Sequence, residues 1–185
     1  MDPEQYARFR EWETFYVIVG TSSAALIGLQ FVVLTLIAER RRISPSVEIA
    51  SFGTPTLVHF STVLMVCATL AAPWMNLKGP GIAIAAVGGV GLFYAAAFFF
   101  RARALSYRLY VQDWIFYGSL PLLPYAALLI AGVQMRHHEE GTLFVCGGAS
   151  LLLTFLGIHN AWDLITYFVT TPLPDDGGGG DNAVP

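Results

Sequence analysis

The fold is decided by residues 49–77, which read IASFGTPTLVHFSTVLMVCATLAAPWMNL. This stretch of 29 residues contains no Asp, Glu, Lys or Arg. A helix of about 20 residues crosses a hydrocarbon core of about 30 Å. The stretch predicts a membrane-spanning helix, because only helices and closed barrels satisfy their backbone hydrogen bonds in lipid.

Four further stretches share this character. Each has at least 22 residues without a charged side chain, and they run 15–38, 79–100, 114–135 and 141–162. Short alternating segments typical of barrel strands are absent. We therefore predict an all-α integral membrane protein, a bundle of five transmembrane helices. The predicted spans are approximately 15–38, 49–75, 80–100, 114–134 and 142–168.

The composition agrees with this fold class. Of 185 residues, 55% are apolar and only 12% are charged, whereas soluble domains are about a quarter charged. Disorder, a disulfide scaffold and most soluble folds are excluded. The net charge of −3 and the lack of a binding motif argue against a nucleic-acid partner. Residues 1–171 are read as one transmembrane domain, and the Gly- and Asp-rich residues 172–185 as a disordered tail.

The N terminus is too acidic for a signal peptide. Asp2-Pro3-Glu4-Gln5 resembles a capping box with proline at the first helical position. We predict a short amphipathic surface helix there, carrying Tyr6, Phe9 and Trp12, that leads into the first span.

The basic residues set the predicted orientation. If the N terminus lies outside, the outer face carries Arg8, Arg10, Lys78 and Arg136. The inner face then carries Arg40, Arg41, Arg42, Arg101, Arg103 and Arg108. Six basic residues on the inner face against four on the outer face favour an N-out, C-in arrangement. With no organelle signal evident, we expect a bacterial cytoplasmic membrane.

Small residues recur at intervals of four in two spans. The first span carries Gly20, Ala24 and Gly28, and the third carries Gly81, Ala85 and Gly89. This spacing lets helix backbones approach closely in lipid. The stripes serve either packing within one bundle or association between copies, and we predict a homo-oligomer.

Prolines interrupt two of the spans. Pro121 and Pro124 lie in the fourth span and Pro55 lies early in the second. Each removes a backbone donor and predicts a kink, which either lines a cavity or shapes the packing.

A few costly polar residues lie within the predicted spans. They are Gln30, His59, Tyr94, His159, Asn160 and Asp163. Counted at 1.5 Å per residue, Gln30, His59 and His159 all lie roughly 10–13 Å from the inner ends of their helices. Such groups are functional candidates by default. They predict a shared polar layer in the inner half of the membrane.

The densest part of this layer is residues 159–163, HNAWD. His159 and Asp163 are four residues apart and share a helix face, so they can form a hydrogen bond. If the fifth helix ends near Asp163, the pair lies among the headgroups. If the helix continues through the apolar residues 164–169, the pair lies inside the membrane.

The sequence contains no catalytic motif and no metal-binding motif of recognised spacing. The run His137, His138, Glu139 and Glu140 is read as a solvated loop. The sequence therefore favours a non-enzymatic role.

Three hypotheses for the function remain. The first is an accessory or self-assembling membrane subunit, with a protein partner as one option. The second is a channel or transporter for a small ion or solute, with the polar layer around His59, His159 and Asp163. The third is a b-type haem carrier with His59 and His159 as axial ligands, although the sequence requires no cofactor.

Overall fold

The computed structural model describes residues 3–41, 47–104, 114–135 and 141–170. These residues form five α-helices and a short π-helical segment. In chain order they are α1 (Pro3–Arg41), α2 (Val47–Ala71), α3 (Lys78–Ala104), the π-helical segment (Trp114–Ser119), α4 (Leu122–Met135) and α5 (Thr142–Thr170). The predicted tail at 172–185 and the loop at 136–140 lie outside the described residues.

Four helices in the described part of the chain are long and apolar enough to cross a membrane. These segments are Phe9–Glu39, Thr54–Ala71, Lys78–Phe100 and Thr142–Thr170. The prediction of a helical, membrane-embedded protein is therefore confirmed. The fourth predicted span, 114–134, differs, because its only long helix is α4, with 14 residues.

The fourth predicted span is broken rather than kinked. The chain turns at Leu120 and Pro121 between the π-helical segment and α4, and the Leu123 amide donates to the Leu120 carbonyl at 3.2 Å. Proline fits best near the start of a helix, where the missing donor costs little. Pro121 and Pro124 therefore mark the first turn of a new helix. Pro55, by contrast, lies inside the continuous α2.

The expected separate N-terminal helix is wrong. Pro3–Arg41 is one helix of 39 residues, which is about 58 Å long and exceeds the hydrocarbon thickness. The aromatic side chains Phe9, Trp12 and Phe15 pack against the core of the bundle. Packing against the bundle therefore holds this segment in line with the first span.

Helix α2 lies at the centre of the bundle, in contact with α1, α3 and α5. The most extensive helix contact is between α3 and α4, and α4 also packs on α5. Fully buried side chains such as Val63, Ile84, Leu128 and Leu153 fill the space between these helices.

Glycine allows α3 and α4 to approach closely. A Cβ atom on Gly132 would collide with the backbone of Ala85 and would lie 2.7 Å from the Gly81 carbonyl oxygen. A Cβ on Gly88 would meet the backbone of Leu129 in the same way. The third-span stripe therefore faces α4 of the same chain, with Gly89 near the Leu129 side chain at 3.8 Å. Sequence reasoning missed the partner glycine, Gly132.

The small residues of the first span, Gly20, Ala24 and Gly28, do not share one environment. Gly20 faces Cys67 of α2, where a Cβ would lie 2.8 Å from the Cys67 Cβ. Ala24 and Gly28 are exposed on the outside of the bundle, and a Cβ on Gly28 would meet nothing within 4 Å.

Candidate functional site

A buried hydrogen bond joins α2 to α4 in the middle of the bundle. His59 Nδ1 lies 2.8 Å from the Tyr125 hydroxyl, and both side chains are almost fully buried. The Tyr125 ring covers Gly91 of α3, where a Cβ would collide with it. Three helices therefore fix the position of this hydroxyl.

Two further polar side chains lie near this hydroxyl. Thr62, three residues after His59 on α2, donates its Oγ1 proton to the Val58 carbonyl at 2.8 Å and lies close to Tyr125. Tyr94 of α3 lies within electrostatic range of Tyr125.

Sequence reasoning selected His59 and Tyr94 but missed Tyr125. A weak signal was present, since Tyr125 directly follows Pro124 in a segment without charges. Its role depends on the break at Pro121, which sets the direction of α4, and the sequence does not give that direction.

Two buried amide side chains have unpaired polar atoms. Gln30 is 4% exposed and Asn160 is 0% exposed. Gln30 Nε2, Asn160 Nδ2 and Asn160 Oδ1 have no hydrogen-bond partner among the described residues. A buried polar atom without a partner costs about 1–3 kcal/mol. Nearly all buried polar atoms in native proteins have a partner, so these atoms mark a place where a polar molecule can bind.

The two amides lie at neighbouring levels of the bundle. Helices α1 and α5 contact each other at Trp12 and Phe144, whose rings are 4.5 Å apart. They run in the same direction from there. Gln30 lies eighteen residues beyond Trp12, about 27 Å, and Asn160 sixteen beyond Phe144, about 24 Å. Their levels therefore differ by about 3 Å on this count, and by about 6 Å when both are counted from Phe60, which Ser23 and Gly157 contact.

Both amides also lie on helix faces that contact α2. Ser23 Oγ donates to the Phe60 carbonyl at 2.8 Å, and Gln30 lies two turns beyond Ser23 on that face. Gly157 packs against the Phe60 ring, and Asn160 lies one turn beyond Gly157. Because Phe60 directly follows His59, the amides lie roughly 5–10 Å along the bundle from the His59–Tyr125 bond.

The pair His159 and Asp163 lies on a different face of α5. His159 Nε2 is 3.4 Å from Asp163 Oδ2, and these side chains are 32% and 38% exposed. The Phe116 ring of the π-helical segment stacks on the His159 ring, with centroids 3.9 Å apart. Helix α5 continues to Thr170, so the pair does not lie at its end.

The structure thus divides the predicted polar layer. Gln30, His59 and Asn160 face the interior, and Tyr94 lies beside Tyr125. His159 and Asp163 face outward, toward the π-helical segment. We refer to Gln30, His59, Tyr125 and Asn160 as the polar centre.

The two histidines lie in different surroundings. His159 Nε2 faces Asp163, and His59 Nδ1 is bonded to Tyr125 inside a packed interior. A shared haem would require the two imidazoles to face each other across the macrocycle, and this hypothesis stays a prediction. Among the described residues, no group of three or more His, Cys, Asp or Glu side chains could hold a metal ion. Residues His137 to Glu140 lie outside that part of the chain.

The chain matches no protein-family model, no curated protein and no solved structure. Its function is therefore inferred from the placement of its own side chains.

Proposed function

We propose that this protein conducts or transports a small neutral polar solute, which binds at the polar centre. The observation that carries this proposal is the pair of buried amides with unpaired atoms, Gln30 Nε2 and Asn160 Nδ2 and Oδ1. Polar groups inside a membrane bundle are costly and mark substrate pathways. A solute that accepts hydrogen bonds from both amide NH2 groups and donates one to Asn160 Oδ1 would satisfy these atoms.

The chemistry of the interior favours a neutral solute over an ion. The buried polar side chains among the described residues belong to Ser, Thr, Gln, Asn and His, with no Asp, Glu, Lys or Arg. Amides and hydroxyls donate and accept hydrogen bonds but supply no countercharge. An ion that leaves water for such a site has no partner to offset its desolvation.

The break in the fourth span supports a transport role. Backbone that is not helical at membrane depth is tolerated where it is buried in protein or lines a cavity. Interrupted helices form the solute sites of many transporters. The break at Leu120 and Pro121 lies four residues before Tyr125, so a movement of α4 would act on the His59–Tyr125 bond.

We further propose that residues 114–135 cross the membrane together as a fifth span. The π-helical segment, the turn at Leu120 and Pro121, and α4 together cover 22 residues without a charged side chain. Five crossings put the N terminus and the C terminus on opposite sides. The six-to-four distribution of basic residues then favours N-out, C-in.

The test is solute flux into vesicles that contain the purified protein. Light scattering after mixing with urea or glycerol reports uptake, and an ion-sensitive dye reports Na⁺ and K⁺. We expect uptake of a neutral solute above that of empty vesicles, without ion flux. Gln30→Met removes the buried amide at nearly constant volume. We expect it to slow flux about tenfold, the value of one lost hydrogen bond.

A matched control separates this effect from general damage. Gln134 is exposed on α4, so Gln134→Met makes the same chemical change outside the polar centre and should leave flux unchanged. Gln30→Met should also unfold no earlier than the wild type, because it removes an unpaired buried donor. Wild-type flux in both Gln30→Met and Asn160→Leu would refute the proposal.

A second candidate is an accessory or self-assembling subunit. The exposed residues Ala24 and Gly28 favour it, since a second helix can approach closely where Gly28 has open space. Vesicles no more permeable than empty ones, together with a symmetric oligomer in native mass spectrometry, would support this candidate instead.

A further inference from the structure

The unpaired atoms of Asn160 belong to a single planar group. Asn160 is fully buried, and its Nδ2 and its Oδ1 both lack a hydrogen-bond partner among the described residues. A carboxamide carries two N–H donors on its nitrogen and two acceptor positions on its oxygen. The Asn160 side chain therefore presents a donor and an acceptor side by side along one edge.

Gln30 supplies a second donor from another helix. Its Nε2 has no partner among the described residues, and the residue is 4% exposed. The levels of the two amides along the bundle differ by about 3–6 Å. Two donors that bond to one oxygen at about 2.9 Å each lie at most about 6 Å apart. The difference in level therefore allows a single acceptor atom to bridge both NH2 groups.

An unsubstituted amide group, R–CO–NH2, pairs with all of these atoms at once. One of its N–H bonds lies on the same side of the C–N bond as the carbonyl oxygen, because the group is planar. This N–H can donate to Asn160 Oδ1 while the carbonyl oxygen accepts from Asn160 Nδ2. The second acceptor position of the same oxygen is left for Gln30 Nε2.

We propose, on the basis of the solute pathway proposed above, that the polar centre selects small primary amides, the chemical class of acetamide and urea. Asn160 recognises the amide edge through two parallel hydrogen bonds, and Gln30 holds the carbonyl oxygen. Asn160 is then the residue that determines specificity, and Gln30 contributes affinity for any solute with a carbonyl oxygen.

Geometry distinguishes a primary amide from other neutral solutes. N-methylacetamide keeps a carbonyl and an N–H, but a secondary amide of this kind is almost entirely trans. Its N–H then points away from the side of the carbonyl oxygen, so it cannot pair with both atoms of the Asn160 edge. Ethylene glycol can place two hydroxyls against this edge only by fixing its rotatable bonds, which costs entropy that a planar amide does not lose.

The test is equilibrium binding to the full-length protein in deuterated detergent micelles. Acetamide, N-methylacetamide and ethylene glycol are titrated separately, and the bound fraction is followed by saturation-transfer NMR. We expect acetamide to bind about tenfold more tightly than either of the other two probes, the value of one lost hydrogen bond at a buried site.

Two variants and a control assign the contacts. Asn160→Leu removes both atoms of the edge and should abolish the preference for acetamide over N-methylacetamide. Gln30→Met should weaken the binding of both amides by a similar factor of about ten. It should leave the preference between them intact, because both probes have the carbonyl oxygen. Gln134→Met makes the same change on the exposed face of α4 and should alter neither affinity nor preference.

The possible results separate amide selectivity from the solute pathway itself. Equal binding of acetamide and N-methylacetamide, or a preference for acetamide that persists in Asn160→Leu, would overturn the selectivity. If the probes still lose affinity in Gln30→Met, the polar centre remains a solute site of another specificity. No saturable binding of any probe to the wild type would overturn both proposals.

Discussion

Replacing Gly132 with alanine adds a single methyl group where α3 and α4 are in closest contact. The new Cβ would lie 2.7 Å from the Ala85 Cα and from the Gly81 carbonyl oxygen, whereas ordinary contact begins at 3.4 Å. Both neighbours are backbone atoms, so no side chain can rotate away. The two helices must separate instead, along a contact that extends through Gly88 as well.

Overpacking of a tight core costs about 1–3 kcal/mol, and the better helix propensity of alanine returns at most about 1 kcal/mol. We therefore expect Gly132→Ala to lower the free energy of unfolding by about 1–2 kcal/mol. Gly28→Ala is the matched control, because the added Cβ meets nothing within 4 Å. We expect it to leave stability unchanged or to raise it by up to about 1 kcal/mol.

Unfolding of the purified protein in mixed micelles, followed by circular dichroism against dodecyl sulfate concentration, measures both variants. A Gly132→Ala protein as stable as the wild type would refute the close approach of α3 and α4. A Gly28→Ala protein that is less stable, or that has a smaller oligomer in native mass spectrometry, would show that Gly28 contacts another copy of the chain. That result would favour the self-assembling subunit over the solute pathway.

Two further substitutions test single hydrogen bonds by the same unfolding measurement. Tyr125→Phe leaves His59 Nδ1 without its partner at 2.8 Å, so we expect a loss of about 1–2 kcal/mol together with slower solute flux. Unchanged stability and flux would contradict a structural role for this hydroxyl. Tyr16→Phe removes a 2.7 Å bond to the Leu143 carbonyl. We expect a loss of only about 0.6 kcal/mol, because that carbonyl keeps its place in the helix ladder; a larger loss than in Tyr125→Phe would contradict this ranking.

The fold class followed from the sequence because the underlying cause is local. A long stretch without charges, such as residues 49–77, must form a helix in lipid wherever its neighbours lie. The interruption of the fourth span was also visible, since Pro121 and Pro124 each lack a backbone donor. Whether they would kink one helix or start a new one was not visible, because that depends on how α4 packs.

Contacts between helices determine two further features, the continuous α1 helix and the close approach of α3 and α4. Helix α1 continues without a break from Pro3 because Phe9 and Trp12 pack against the bundle. The sequence of residues 1–14 does not reveal these contacts. Gly132 contacts Ala85, although the two residues are 47 positions apart in the chain. No local periodicity in the sequence relates two such positions.

The polar residues show the same division between sequence and structure. The sequence alone identified Gln30, His59, His159 and Asn160 as costly within a membrane. The free-energy cost of placing a polar side chain in lipid depends on the chemistry of that side chain. Only the tertiary structure shows that Gln30 and Asn160 face inward with unpaired atoms at neighbouring levels, and that His159 faces outward. Helix rotation and register set these positions, and they result from the packing of all five helices at once.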